Sequence, residues 1–208
     1  MNMALARLIA GQIFLHACMT GMRMATPLLA LREGYSAAAV GVLLALFALT
    51  QVFLALPAGR YADRHGLKRP VGIAVVMACA GAGLSLIFPV FSVMCLSALM
   101  TGGATGLAII ALQRHVGRAA HDTTQLRQVF SWLAIGPAVS NFIGPFFAGL
   151  MIDHAGSTAG STEGYRAAFA LLAVLPLATW FWVRHTEELP PVIAAAGGPP
   201  QRSWDLLN

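Results

Sequence analysis

The sequence predicts an all-α polytopic membrane protein of six transmembrane helices, arranged as two inverted three-helix repeats. Three observations carry that prediction. The 208 residues are 58% hydrophobic and only 10% charged, with a mean hydropathy of +0.73, whereas soluble domains are about 45–50% apolar and about 25% charged. The apolar residues gather into runs near the length of about 20 that a helix needs to cross a bilayer. Polar residues that survive inside the runs recur at helical spacing at the start of each three-span half.

The first span covers Leu8 to Leu31 and ends at Arg32-Glu33-Gly34; the second covers Ala37 to Ala58. The segment Gly59 to Arg69 is polar, basic and helix-breaking, and reads as a loop in water. Span three runs from Pro70 to Phe88, and the chain must turn at Pro89, because Val71 to Leu112 is uncharged and too long for one crossing. Span four is then Phe91 to Leu112. After the polar segment Gln113 to Leu126 come span five, Arg127 to Ile152, a Gly/Ser/Thr-rich loop from Asp153 to Gly164, and span six, Tyr165 to Val183. Residues 1–184 thus form one bundle. Residues 185–208, with two Pro-Pro pairs and Ala195-Ala196-Gly197-Gly198, read as a flexible tail.

Charge sets the expected orientation. Arg7, Arg60, Arg64, Lys68, Arg69, Arg114, Arg118, Arg127, Arg184 and Arg202 fall on one side, and only Arg32 and Arg166 on the other. Basic residues stay in the cytoplasm, so both termini are expected there. The net charge of +5 does not suggest nucleic acid, because the basic residues sit in small groups between apolar runs instead of forming one face. Cys18, Cys79 and Cys95 lie inside apolar runs and read as small core residues. Gln12 and His16 within the first run, and its long continuation, argue against a cleaved leader. The sequence has no nucleophile elbow, P-loop or His-Glu-x-x-His, and no histidine pair at metal-ligand spacing. Neither catalysis, a cofactor nor a metal is expected.

Polar groups within lipid are costly, so those in the spans are the informative ones. In span one, Gln12, His16, Thr20 and Arg23 fall within an arc of about 80° at about 100° per residue, and Pro27 joins them. Span four carries Ser97, Thr101 and Thr105 amid Gly102, Gly103 and Gly106. Two such stripes suit a water-filled cavity between inverted repeats. A second reading stays open, in which the hydroxyls bond their own backbone and Arg23 snorkels to the headgroups. Span five places Gly136, Ser140, Gly144 and Ala148 at every fourth position, a ridge that admits another helix closely. Gly136-Pro137 and Gly144-Pro145, eight residues apart, each remove a backbone hydrogen bond and bend the helix, so this reads as a packing and hinge face.

The pattern Gly59-x-x-x-Asp63-Arg64-x-Gly66-x-Lys68-Arg69 resembles the signature between spans two and three of the major facilitator superfamily of secondary transporters. Gly144-Pro145-Phe146-Phe147-Ala148-Gly149 resembles the span-five signature of the family's antiporters, with Ser140 where a glycine is usual and Ala148 replacing another. Gly164-Tyr165-Arg166 is also similar to the family's sequence before span six. The resemblance implies a loop that locks the cytoplasmic side, with Gly59 and Gly66 making turns, Asp63 contacting the facing half and Arg64 pairing charge. Two departures accompany it. The arginine common in span four of exporters is absent, since Ala98, Leu99 and Met100 occupy its neighbourhood, and no acid lies within a span. The resemblance also covers only the N-terminal six-span half of a twelve-span family, so the chain is expected to be a truncated or split half whose tail resembles the central linker. It implies a secondary-active carrier of small molecules in the bacterial inner membrane, of efflux type and working by alternating access. Its partners would be the lipid bilayer, the substrate, and a C-terminal six-span half or a second copy. The competing expectation is a six-span scaffold or partner subunit that moves no solute.

Overall fold

The computed structural model describes residues 3–119, 122–155, 162–186 and Glu188, and every regular element among them is helical. Six helices follow in order: α1 (Met3–Arg32), α2 (Ala37–His65), α3 (Lys68–Ile87), α4 (Phe91–Ala119), α5 (Thr123–His154) and α6 (Glu163–Val183). Each is long and apolar enough to cross a membrane. The tail expected over residues 185–208 lies outside the described residues apart from His185, Thr186 and Glu188, as do residues 156–161 of the loop expected from Asp153 to Gly164.

The sequence marks several boundaries with recognisable chemistry. Ser36 caps α2, its hydroxyl accepting the Ala39 N–H at 3.3 Å, and Asp122 caps α5 by accepting the Gln125 N–H at 2.6 Å. Each satisfies one of the N–H groups that a helix start leaves without a partner. Gly66 closes α2 with φ +72°, where a side chain would be strained. The turn between α3 and α4 falls at Phe88, Pro89 and Val90, as expected.

One expectation needs correction. Most of the segment Gly59 to Arg69 is not a loop, because α2 continues to His65, α3 begins at Lys68, and only Gly66 and Leu67 turn the chain. Polar residues end the membrane-embedded part of a helix but not its hydrogen-bonding pattern, which runs on into water. For the same reason α4 continues past Leu112 to Ala119. Pro137 and Pro145 lie inside α5, which is one helix of 32 residues, consistent with the single span expected there; neighbouring helices can hold a proline-containing span together.

The packing has an internal exchange symmetry. α1 packs mainly on α5 and α6, and α4 mainly on α2 and α3; α3 meets α6, and α1 meets α4 across the centre. Exchanging α1 with α4, α2 with α5 and α3 with α6 leaves this scheme unchanged, as two three-helix repeats of opposite direction require. Hydroxyl contacts follow it too: Thr179 of α6 donates to the Gly11 carbonyl of α1 at 2.9 Å, and Ser85 of α3 bonds Ser97 of α4 at 2.8 Å. α2 and α5 do not touch each other. They flank an open side of the bundle, with α1 and α4 between them, and they bury the smallest share of their apolar windows.

Candidate functional site

The polar stripe of α1 divides among three environments. Thr20 is turned to α5, where its hydroxyl donates to the Ser140 carbonyl at 2.9 Å. Ser140 is buried; its own hydroxyl donates to Gly136 at 2.6 Å and lies 3.1 Å from the Ile13 carbonyl across the seam. A Cβ on Gly144 would overlap the Thr20 hydroxyl and the Ala17 carbonyl. Gly136, Ser140, Gly144 and Ala148 are all buried, so the ridge of span five is where α1 lies against α5. Gly149 continues it against Met24, and Pro137 and Pro145 are half-buried beside it.

Gln12 and His16 reach a small cavity of about 20 Å³ among α1, α3, α4 and α6, lined also by Leu8, Val71, Thr105 and Thr179. Its volume is that of a single water, far too small for an organic substrate. Gln12 Oε1, which lies against Gly136 of α5, and His16 Nδ1 are both buried without a hydrogen-bond partner. Arg23, by contrast, is exposed. At about 100° per residue it projects between Gln12 and His16 and about 60° round the helix from Thr20.

The stripe of α4 does not line the open side between α2 and α5. Thr101 is fully buried against Gly81 of α3, and its hydroxyl donates to the Ser97 carbonyl of its own helix at 2.7 Å. Thr105 is likewise buried and donates to the Thr101 carbonyl at 2.9 Å. A hydroxyl that bonds the carbonyl one turn back needs no water, so the spacing that suggested a wet path is equally that of a close-packed seam. Only Thr105 meets the α1 stripe, at the small cavity. Arg23 and Thr101 do not share one. Gly102, Gly103 and Gly106 face Phe47, Thr50, Gln51 and Leu54 of α2 and let that helix approach.

The second cluster sits where α2, α3 and α4 meet at the basic end. Asp63, in the last turns of α2, is paired with Arg114 of α4. The guanidinium reaches it by lying across Gly59, one turn earlier, where a Cβ would stand 2.8 Å from the Arg114 Nη2. Gly59 is therefore a helical floor for an arginine and not a turn, which corrects the role expected for it. Gly66 does make the turn. Both partners of the ion pair are partly exposed, with side chains at 48% and 34%, and such pairs contribute about 0–1 kcal/mol. The pair sets register, while the glycines of α4 hold α2. Arg64 and Arg69 are exposed, Lys68 is half-buried, and Arg64 forms no ion pair among the described residues. Glu188, beyond α6, accepts the Lys68 N–H at 2.7 Å, so its carboxylate caps α3, which has no cap of its own.

Arg114, Glu188 and Thr50 were not singled out by sequence. Arg114 had counted only as an orienting charge, and no local pattern connects position 188 with position 68. Among the described residues no group of His, Cys, Asp or Glu could hold a metal ion.

Comparison with known proteins agrees with this architecture. The family model of the Major Facilitator Superfamily matches residues 8–206. The tetracycline resistance protein, class B, of Escherichia coli is 33% identical over 154 residues, which cover 71% of this chain. The match covers 35% of that protein, so the chain spans about a third of the relative's length. A match along nearly the whole chain, on a bundle whose helices exchange as inverted repeats, makes the chain a member of the major facilitator superfamily.

Proposed function

We propose that this chain forms the first six-span bundle of a secondary transporter that exports small molecules by alternating access. It works against a C-terminal six-span bundle or a second copy of itself, in a bacterial cytoplasmic membrane with both chain ends inside. The observation that carries this reading is the open side between α2 and α5, which do not touch, together with Arg23 exposed on α1 within a membrane span. A lone cation at depth in a lipid-embedded helix is costly unless it meets a partner, a substrate or water. The flanking helices expose Val52, Phe53 and Leu56 on α2 and Phe142 and Phe146 on α5, an apolar surface suited to a second bundle.

The export direction draws on the relative named for tetracycline resistance and on the span-five pattern Gly144 to Gly149. Arg23 would contact an anionic or hydrogen-bonding group of the substrate, and Gln12 and His16 would border the same path. Asp63, held by Arg114, would work the gate at the basic end. The test is transport by the completed protein in everted membrane vesicles, with tetracycline as the first substrate tried. Arg23→Leu should weaken apparent substrate affinity, and Asp63→Asn should slow turnover while the protein still inserts. Unaltered affinity in Arg23→Leu would make Arg23 a headgroup anchor. Insertion without movement of any small molecule would favour a scaffold instead.

A further inference from the structure

On the other side of the bundle, α3 and α6 frame an outward-facing groove of about 460 Å³, lined by Tyr61, Lys68, Arg69, Gly72, Ile73, Val76, Met77 and Trp180. Its residue types are graded along its length. Lys68, Arg69 and Tyr61 stand at the basic end of α3; Ile73, Val76 and Met77 follow one to two turns deeper, so the apolar part extends about 12 Å below the cations at about 1.5 Å per residue. Gly72 forms the floor beneath Trp180, with a Cβ there standing 3.2 Å from the indole ring. Val76 is 68% exposed and Trp180 40%. The side chains of Lys68 and Arg69 form no ion pair among the described residues.

We infer that this groove binds an anionic phospholipid of the leaflet at the basic end, the phosphate between Lys68 and Arg69 and one acyl chain along Gly72, Ile73 and Val76. Charge complementarity selects this occupant. Lys68 and Arg69 form no side-chain ion pair among the described residues, so the two cations outnumber the one carboxylate at that end, Glu188 on the Lys68 N–H, and cations near a charged membrane surface favour anionic lipids by roughly five-fold each. A tyrosine and a tryptophan at the same level have the amphipathic rings that settle at the interface. Orientation of the chain needs only that the cations stay on one side. It does not need a groove of hydrocarbon width leading away from them.

Trp180 reports on the groove directly. In the 208-residue chain with Trp132, Trp182 and Trp204 replaced by Phe, reconstituted in vesicles, its fluorescence is measured with bromine on the acyl chains of either phosphatidylglycerol or phosphatidylcholine. Phosphatidylglycerol should quench several-fold more effectively at equal mole fraction. Lys68→Gln with Arg69→Gln should abolish that preference, and Arg69→Gln alone, at an exposed position, should reduce it should the double variant fail to fold. Val76→Phe should lower quenching by both lipids. Arg60→Gln, which removes a cation of the same end outside the groove, should leave the preference intact. Equal quenching by the two lipids, or a loss in Arg60→Gln as large as in Arg69→Gln, would overturn the inference. These outcomes are independent of whether the protein transports anything, because they require only that α3 and α6 face lipid.

Discussion

The two pseudo-equivalent seams, α1 on α5 and α4 on α2, solve one packing problem with different chemistry. Between α1 and α5 small residues lie on both sides, Gly21 and Ala17 against Gly144, and two hydroxyls reach carbonyls across the gap. Between α4 and α2 the small residues are concentrated on α4, where Gly102, Gly103 and Gly106 receive the backbone and side chains of α2. There the Thr50 hydroxyl is buried without a hydrogen-bond partner. Without a hydrophobic force between helices in lipid, close packing and interhelical hydrogen bonds must supply the association. The first seam uses both and fixes one register. The second uses shape alone, and its register is set from the end, by Arg114 lying over Gly59 to reach Asp63.

This contrast can be broken in four graded ways. The largest effect belongs to Gly144→Val, whose branches would overlap the backbone of α1; a loss of about 3 kcal/mol or more, at the upper end of overpacking costs, should appear as a bundle that no longer resists mild detergent denaturation. Gly102→Ala comes next. Its Cβ would meet the Phe47 carbonyl, and the midpoint of unfolding in dodecyl sulfate should fall by the equivalent of about 1–3 kcal/mol. Ser140→Ala should cost about 0.6 kcal/mol and at most about 1.7, the range for interhelical hydrogen bonds in membranes. Thr50→Val should leave the same midpoint unchanged or raise it by up to about 1 kcal/mol, since it removes a buried hydroxyl with no partner. Equal losses from Ser140→Ala and Thr50→Val would erase the distinction between the seams.

The number of crossings, their order and the turn at Pro89 were legible because they depend on length and hydropathy, which the bilayer enforces. The ridge of α5 was legible as well, since small residues at every fourth position have few other uses in a span. The polar stripes were less so. Gln12, His16, Thr20 and Arg23 do share one arc, but that arc borders α5 and a water-sized cavity and carries an exposed arginine at once. On α4, threonine at four-residue spacing satisfies itself against its own backbone, and that solution gives the same pattern as a wetted face. The partners of Asp63 and of the α3 amino end escaped for another reason: Arg114 and Glu188 are separated from them by 51 and 120 residues, and no periodicity reports contacts at that range.

The arrangement of Gly59, Asp63 and Arg114 works as a gauge of side-chain reach. A bare surface at one position and a carboxylate one helical turn beyond it match the length and flatness of a guanidinium laid sideways, and an ammonium has no such plane to lay down. The three positions should consequently vary together: a lysine at 114 would release position 59 to carry a side chain, whereas an arginine there must shift aside to admit one. A side chain at the glycine would then displace the guanidinium from the carboxylate, a coupling that the spacing within α2 alone would never disclose.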